Sequence, residues 1–533
     1  MVDYLVIGSG CSGAIAAETL VRRGATVTML DVGATPDEPI DIPNKSFLDL
    51  RRTDPDQYRY LIGEQASGVF WGKVGKGEQL TPPRQHIMKG VDEYIPVASD
   101  SFSPLESLGY GGLGIGWGLQ CWQYSEADLK SAGLPVAAMR KAYQYVADRV
   151  GISATADDAA DYTIGSLKDY QPSPAMDRNH RYIYKKYLAQ KAHFNQAGFH
   201  MGRTPLALIT KDTAGRKKYA YRDMDFYSDN DSSAWRPWIT VNQLRKQRNF
   251  TYIDNHLVLS FAEKKDHVEV RCLQLPTNRL VTITCRKLIL ASSALGSARI
   301  VLRSLGQTNT KLPLLCNPYS YVPCLQPRFV GRAAETKKLG FTQLSLFFDP
   351  ENQNANTSVA SLYSYQSLML FRIIRHVPLD FRDAKILMRY LMSGIVIMGI
   401  HHADNITPQK YLQLQPARTL TGDNLRIAYS LSEQEKRLHD QRERALIKTM
   451  RKLGTYGLKR MDPGYGSSIH YAGTLPLSKT DKPFSLDATG RLHGTRHVYV
   501  ADSSGFTYLP APGLTFSLMA NAHLVAESVL KNG

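Results

Sequence analysis

Three groups of residues in this chain have types and spacings that could do chemistry. The first is Gly8-Ser-Gly10-Cys-Ser-Gly13, with Asp31 eighteen residues after Gly13. Glycines at this spacing let a strand turn tightly into a helix, let an anion reach the backbone, and let the helix pack on the strand. The helix start beyond them would offer free N–H groups and partial positive charge to a pyrophosphate. A carboxylate at 31 could bind ribose hydroxyls. The plain alternative is a βαβ unit with a glycine turn. The second group is GYGGLGIGWGLQCW, residues 109–122, with six glycines in its first ten residues and Trp117 among them. Glycine loses more entropy on fixing than any other residue. Something must therefore pass close to this backbone, whether a phosphate, a ring system or another strand. The third is His401-His402-Ala-Asp404. Neighbouring strand residues point to opposite faces, so the pair is a poor chelate and no metal site is expected.

Elements to position the first group are legible around it. Residues 3–8 read as a buried parallel strand, 14–23 as a helix stopping at Gly24, and 25–30 as a second buried strand ending at Asp31. Further pieces of the same unit recur far along the chain. Residues 251–261 read as one strand, and 267–273 with 280–285 as a meander. Residues 287–304 read as strand, small-residue turn and helix; 497–502 as a buried strand ending in an acid; and 514–530 as a last helix. Residues 140–240 are polar and aromatic with weak periodicity. Strand candidates at 340–348, 358–364, 394–401, 411–415 and 424–430 predict a largely antiparallel sheet. A helix with a capping box, Ser432 to Glu435, follows and stops at Gly454.

The fold class expected is α/β, a Rossmann-like nucleotide domain with an inserted α+β domain. The nucleotide domain takes 1–55, 100–139, 241–310 and 465–533; the inserted domain takes 56–99, 140–240 and 311–464. A chain of 533 residues, 43% hydrophobic, exceeds what a single core supports. The longest strongly apolar run, Ser393 to Ile400, is too short to span a bilayer. The N-terminus lacks a signal-peptide pattern. Six cysteines at 11, 121, 272, 285, 316 and 324, with no CxxC pair, read as reduced thiols of a cytoplasmic protein. A net charge of +17 suits either an anionic partner or a solvated basic surface. Residues 379–392 form a cationic amphipathic stretch, with Arg382, Lys385 and Arg389 on one helical face and Phe381, Leu387, Met388 and Leu391 apolar. Such a helix could lie on an anionic membrane surface or pack on its own domain. Arg216-Lys-Lys218 reads as a solvated loop, and no nucleic-acid partner is expected.

Taken together, the chain resembles the glucose–methanol–choline (GMC) oxidoreductases, which are FAD enzymes. DYLVIGSGCSGAIAAETLVRRG resembles their FAD-binding start, and GYGGLGIGWG their flavin loop, often GG-x-x-x-x-W-G. KLILASSALGSARIVLRS resembles their second signature, and HVYVADSSGFTYLPAPGLTFSLMANAHLVAESVL their last strand, acid and helix. The resemblance implies that Gly8, Gly10, Gly13 and Asp31 hold the ADP part of FAD and that Val258 meets the adenine. It implies that Asp502 lies near the pyrophosphate and ribityl chain, and Thr515 beside the flavin pyrimidine. Gly111, Gly112, Gly116 and Trp117 would line the flavin, with Trp117 as a wall. The family has a histidine before a Gly-Thr pair; in SSIHYAGTLPLS that is His470, before Gly473 and Thr474. The implied reaction is oxidation of a C–OH group in a sugar, polyol or related alcohol, free or carried on a phosphate or lipid. His470 is the base and hydride passes to flavin N5. The electron acceptor is oxygen or another oxidant.

Two departures from the family pattern stand beside the flavin. The second polar residue usual opposite the base falls, without gaps from Asp502, at Gly513, and the segment after Gly-Thr is Leu475-Pro-Leu-Ser478. Either the site keeps one histidine or another residue supplies the missing hydrogen bond. Some relatives bind FAD covalently through a histidine before the loop tryptophan; that position is Gly116, so FAD is expected to be non-covalent. Two alternatives stay open: a redox-neutral or light-driven flavoenzyme of the same fold, and a non-catalytic FAD-binding protein.

Overall fold

The computed structural model describes residues 1–38, 40–64, 80–213, 215–333, 335, 337–364 and 378–531. Residues 65–79, within the segment 56–99, and the side chains of Phe381 and Lys385 lie outside the described residues. The apolar strand Val2–Ile7 runs parallel to Val27–Leu30 on one side and to the end of Arg279–Leu290 on the other. This seven-stranded sheet has the order Phe250–Ile253, Val27–Leu30, Val2–Ile7, Arg279–Leu290, Val268–Gln274, His256–Glu263, with Val498–Val500 also paired to Arg279–Leu290.

Arg279–Leu290 joins two patterns in one strand. Up to Cys285 it is antiparallel to Val268–Gln274, and from Lys287 it runs parallel to Val2–Ile7. The meander strand and the buried strand read separately from the sequence are thus continuous. The single strand expected over 251–261 is instead two. Phe250–Ile253 extends the parallel sheet, and His256–Glu263 turns back against Val268–Gln274. Asn255 makes the corner at φ 54°, a left-handed conformation that asparagine tolerates.

Cys11–Arg22 and Thr515–Lys531 pack on this sheet. Ala14, Ala16, Ala17 and Leu20 of the first share a core cluster with Ala522, Val525, Ala526 and Val529 of the second. Small residues on both helices let them approach closely, so the N- and C-terminal elements form one layer.

A second sheet has six strands, each antiparallel to its neighbours: Tyr456–Gly457, Tyr319–Leu325, Ile395–His402, Ser358–Ser364, Thr342–Phe348 and Phe199–Arg203. Strand alternation divides its faces. Val322, Cys324, Leu344, Leu346, Ala360, Leu362, Val396, Met398 and Ile400 are buried against Ile183, Tyr187, Leu446 and Met450 of two covering helices, Arg178–Ala189 and Glu433–Lys452. The other face turns Tyr319, Ser361, Tyr363 and His401 toward a cavity. The capping box of Glu433–Lys452 is formed, with Ser432 and Glu435 bonding reciprocally.

Two expectations need correction. The candidates at 411–415 and 424–430 do not join this sheet. As Tyr411–Pro416 and Asp423–Ala428 they form a separate four-stranded sheet with Leu312–Pro313 and Val97–Ala98. Leu412, Leu414, Leu425 and Ile427 share a core with Leu288 and Leu290 of the first sheet. Arg216 is not a solvated loop residue. It is buried, and its guanidinium donates to the carbonyls of Val150, Ser232 and Ser233, so it braces a turn from inside.

Candidate active site

A cavity of about 760 Å³ lies between the carboxyl ends of the parallel strands and the open face of the six-stranded sheet. Its lining includes Gly8, Asp31, Ala291 and Asp502, which stand at or just past the ends of successive strands. Open α/β sheets bind ligands at such strand ends.

The cradle is built by close backbone approach. A Cβ on Gly13 would lie 1.8 Å from the carbonyl oxygen of Gly8, and one on Gly8, at φ +98°, would lie 2.8 Å from that of Ala291. A Cβ on Gly10 would meet nothing within 4 Å, because Gly10 faces the cavity. Cys11–Arg22 starts at Gly10 with no side-chain cap, so its first N–H groups remain available to an anion. Asp31 accepts hydrogen bonds from Ser9 Oγ and, at 3.3 Å, from Tyr252. Ser9 Oγ in turn accepts from the Gly111 amide at 2.8 Å. Burial pushes the Asp31 carboxyl up to about 7, against those donors. Val258, on His256–Glu263, and Thr515, the first residue of the last helix, line the cavity. Asp502 accepts from Ser297 Oγ at 2.6 Å and the Ser504 amide at 2.9 Å, and burial raises its pKa.

The glycine-rich loop has more than one reason for its composition. A Cβ on Gly114 would lie 2.4 Å from Pro237 and 2.8 Å from Cys11 Sγ, and one on Gly112 would lie 3.4 Å from Gly10 Cα. The loop is therefore pressed against the cradle itself. Gly112, Gly116 and Trp117 line the cavity, whereas Gly13 and Gly111 do not. Gly13 serves helix–strand packing, and Gly111, at φ +100°, serves the turn and the bond to Ser9. Trp117 is held at both ends: its indole donates to the Trp235 carbonyl at 3.1 Å, and its own carbonyl accepts from Arg236 at 2.9 Å. Arg236 is fully buried on Asp229, which also meets Arg84 at 2.7 Å. Burial would raise Asp229, but the two guanidinium groups hold its pKa below the ordinary value.

His470 projects into the same cavity. Its Nδ1 lies 2.9 Å from Asn317 Oδ1. The Asn317 amide nitrogen donates to the carbonyls of His402 and Pro510 at 2.8 and 2.9 Å. Only the NH₂ end can donate, so the amide is fixed, Oδ1 must accept, and His470 carries its proton on Nδ1. Nε2 is left with its lone pair. A Cβ on Gly513 would sit 3.6 Å from that Nε2 and 3.4 Å from Trp122. Burial lowers the His470 pKa to about 4, so the imidazole is neutral near pH 7.

His401 stacks on His470, with ring centroids 5.3 Å apart. His402 points the other way, bonding Ser358 Oγ at 2.9 Å and stacking on His439. Strand alternation separates the two histidines by face but does not assign either to the site. Asn317, Tyr319 and Arg84 were also not singled out. Asn317 sits in a Cys-Asn-Pro segment with no periodic signal. The alternation Gly399–His401 beside Tyr319–Tyr321 was the available cue for the open sheet face.

The glycine-turn cradle and an oriented neutral imidazole thus share one cavity, an arrangement suited to a nucleotide-cofactor oxidoreductase. Comparisons with known proteins agree. The family model described as GMC oxidoreductase matches residues 413–522. The chain is 24% identical to 6'''-hydroxyparomomycin C oxidase of Streptomyces lividus and 23% identical to paromamine 6'-oxidase of Streptomyces fradiae, in each case over 99% of this chain and 90% of the relative. Pyridoxine 4-oxidase from Mesorbium loti superposes with a TM-score of 0.56, and an FAD-dependent oxidoreductase from Chaetomium thermophilum with 0.57. Both have 12% identity, with 100% of this chain and 99% of each structure covered, and show the shared fold. The family match covers the C-terminal part of the chain, and the likeness to the two oxidases extends over its whole length. These matches support an oxidoreductase that acts on alcohol groups.

Proposed function

We propose that the chain oxidises a C–OH group of a sugar, polyol or related alcohol, with His470 as the base and non-covalently held FAD as the cofactor. The orientation of His470 carries this reading: Nδ1 is fixed by Asn317, and Nε2 is free in the cavity that the cradle opens into. The residues present fit FAD. The uncapped helix start and the open side of Gly10 would take its pyrophosphate, Asp31 a ribose, and the start of Thr515–Lys531 the pyrimidine edge, where a helix N-terminus favours negative charge. Gly116 has no side chain with which to form a covalent link. A bound flavin supplies the two-electron hydride acceptor.

The remaining work falls to side chains. The hydroxyl proton passes to His470 Nε2 as the O–H bond breaks, the C–H pair leaves as hydride, and C–O becomes C=O. Asn317 accepts from Nδ1 and so stabilises the imidazolium that forms. Trp122, 1% exposed, closes the side of the ring next to Gly513 and keeps water from it. His470→Ala should retain FAD and slow anaerobic flavin reduction by about 10²–10⁴. An unchanged reduction rate would remove His470 from the mechanism.

A second reading concerns surroundings. On Phe381–Leu391, Ile386 and Tyr390 are exposed in line with Leu379, with Arg382 and Arg389 exposed beside them; Leu387 is also exposed, while Met388 is buried. Cations flanking an exposed apolar stripe favour peripheral contact with an anionic lipid surface.

A further inference from the structure

His401 belongs to the substrate site by geometry. It is the seventh residue of Ile395–His402 and pairs with Tyr319 across the sheet. Its ring lies between two others, with centroids 4.6 Å from Tyr319 and 5.3 Å from His470, at interplanar angles of 34° and 26°. Gly399, two residues earlier on the same face, makes room for this stack: a Cβ there would lie 3.0 Å from the Tyr319 hydroxyl. The ring therefore has a built seat on a central strand, where the backbone is held on both sides by Tyr319–Leu325 and Ser358–Ser364.

What the seat does not provide is a polar partner. His470 has Asn317, and His402 has Ser358 and Glu443. Among the described residues His401 makes ring contacts alone; its Nδ1 is sealed without a hydrogen bond, which leaves Nε2 as the nitrogen that can serve the cavity the residue lines. A neutral imidazole carries one donor and one acceptor, and leaving such a group unpaired inside a protein is costly. A purely structural role would be met at less cost by a phenyl ring of similar size. The two imidazoles line one cavity, and the free Nε2 of His470 faces the space left open by Gly513.

We propose that His401 is a second substrate-contacting imidazole, which hydrogen-bonds the oxygen of the same CH–OH group that gives its proton to His470. The inference rests on the alcohol-oxidation reading and adds to it. The oxygen is held from two sides, by a base at His470 and by an N–H donor from the substrate-facing sheet. The donor strengthens its bond as negative charge gathers on the oxygen, so the contact favours the transition state over the bound alcohol. Substrates lacking a hydroxyl at the reacting carbon would lose both contacts.

The test replaces His401 by Phe, which keeps the stack, and by Gln, which keeps a donor. His401→Phe should retain FAD and slow anaerobic reduction by the best alcohol substrate by about 10²–10³, mainly in the limiting rate, with His401→Gln recovering part of the loss. Reduction of His401→Phe at the wild-type rate overturns the proposal. A second readout is independent of turnover. In protein with ¹⁵N-labelled histidine, trifluoroethanol, an alcohol that resists oxidation, should shift the ring-nitrogen signals of both His401 and His470. An unmoved His401 signal overturns the proposal even if His470 responds. Failure of every alcohol to reduce the wild-type flavin, with both signals still shifting, would instead remove the alcohol-oxidation reading and leave a two-histidine hydroxyl site.

Discussion

His470 is held in orientation by a chain of fixed hydrogen bonds. Two backbone carbonyls fix Asn317, Asn317 fixes the tautomer, and the tautomer exposes Nε2. A histidine in water titrates near 6.5; burial brings His470 down to about 4, and burial with His470 nearby also lowers His401 well below its ordinary value. The sign follows: the base form is the neutral one, so lowering the pKa extends its range toward acid. The rate of flavin reduction should stay flat from about pH 5 to pH 8 and fall only near pH 4. An acid limb near 6.5 in a pH series of rapid-mixing traces would show that the buried environment is not acting on the base. The candidate base itself was legible from the histidine before Gly473-Thr474. Its partners were not, because Asn317, in the connection before Tyr319–Leu325, and His401, on Ile395–His402, lie more than 60 residues away in the chain, and one sequence carries no signal for such pairing.

Among the elements, the cradle was the most legible. Strand, glycine turn, helix and acid are local, and local patterns survive folding into tertiary structure. The glycine-rich loop was legible in composition but not in purpose. Its glycines admit protein as well as ligand: Gly114 faces Pro237 and Cys11, and Gly112 faces Gly10. Gly114→Ala would force a methyl to 2.4 Å from Pro237, and cores respond to such overpacking with shifts costing about 1–3 kcal/mol. Because the loop presses on the first turn of Cys11–Arg22, the loss should appear as weaker FAD retention and a lower Tm. The Gly116→Ala replacement, whose Cβ would meet only Ile87 and Leu80 at 3.4 Å and beyond, should leave Tm within about 0.5 kcal/mol equivalent of wild type. Equal effects from the two, measured by flavin fluorescence on gel-filtered protein and by thermal melts, would contradict this account. Strand ends were less legible, since the break at Asn255 and the continuity of Arg279–Leu290 both depend on which neighbours the chain finds.

For the whole molecule, the cavity is a product of assembly. One wall comes from strand ends near residues 8, 31, 291 and 502, and the facing wall from strands near 319, 363 and 401. Neither stretch implies the other, which is why the inserted sheet's open face was missed while its strands at 342–348, 358–364 and 395–402 were found. Separate packing of 411–428 against the first sheet shows how an antiparallel pattern can be right while its placement is wrong. A net charge of +17 gives the molecule a long-range attraction to anionic surfaces. Among the described residues no helix is long and apolar enough to cross a membrane, so contact through Ile386 and Tyr390 would be peripheral. The protein should float with liposomes containing phosphatidylserine at low salt and release as salt rises. Replacing both Ile386 and Tyr390 by Ser should abolish flotation without changing flavin content. Protein that stays in the dense fraction at every salt concentration would place this helix outside any lipid contact.

In the proposed reaction a neutral, oriented His470 removes a proton from an alcohol held beside a flavin. This step is tested most directly by mixing the flavin-loaded protein anaerobically with a panel of sugars, polyols and amino sugars and following the oxidised flavin band. At least one of these alcohols should bleach the band fully, in a single turnover that His470→Ala slows by about 10²–10⁴. A band that persists with every member of the panel, in protein shown to hold its flavin, would contradict it.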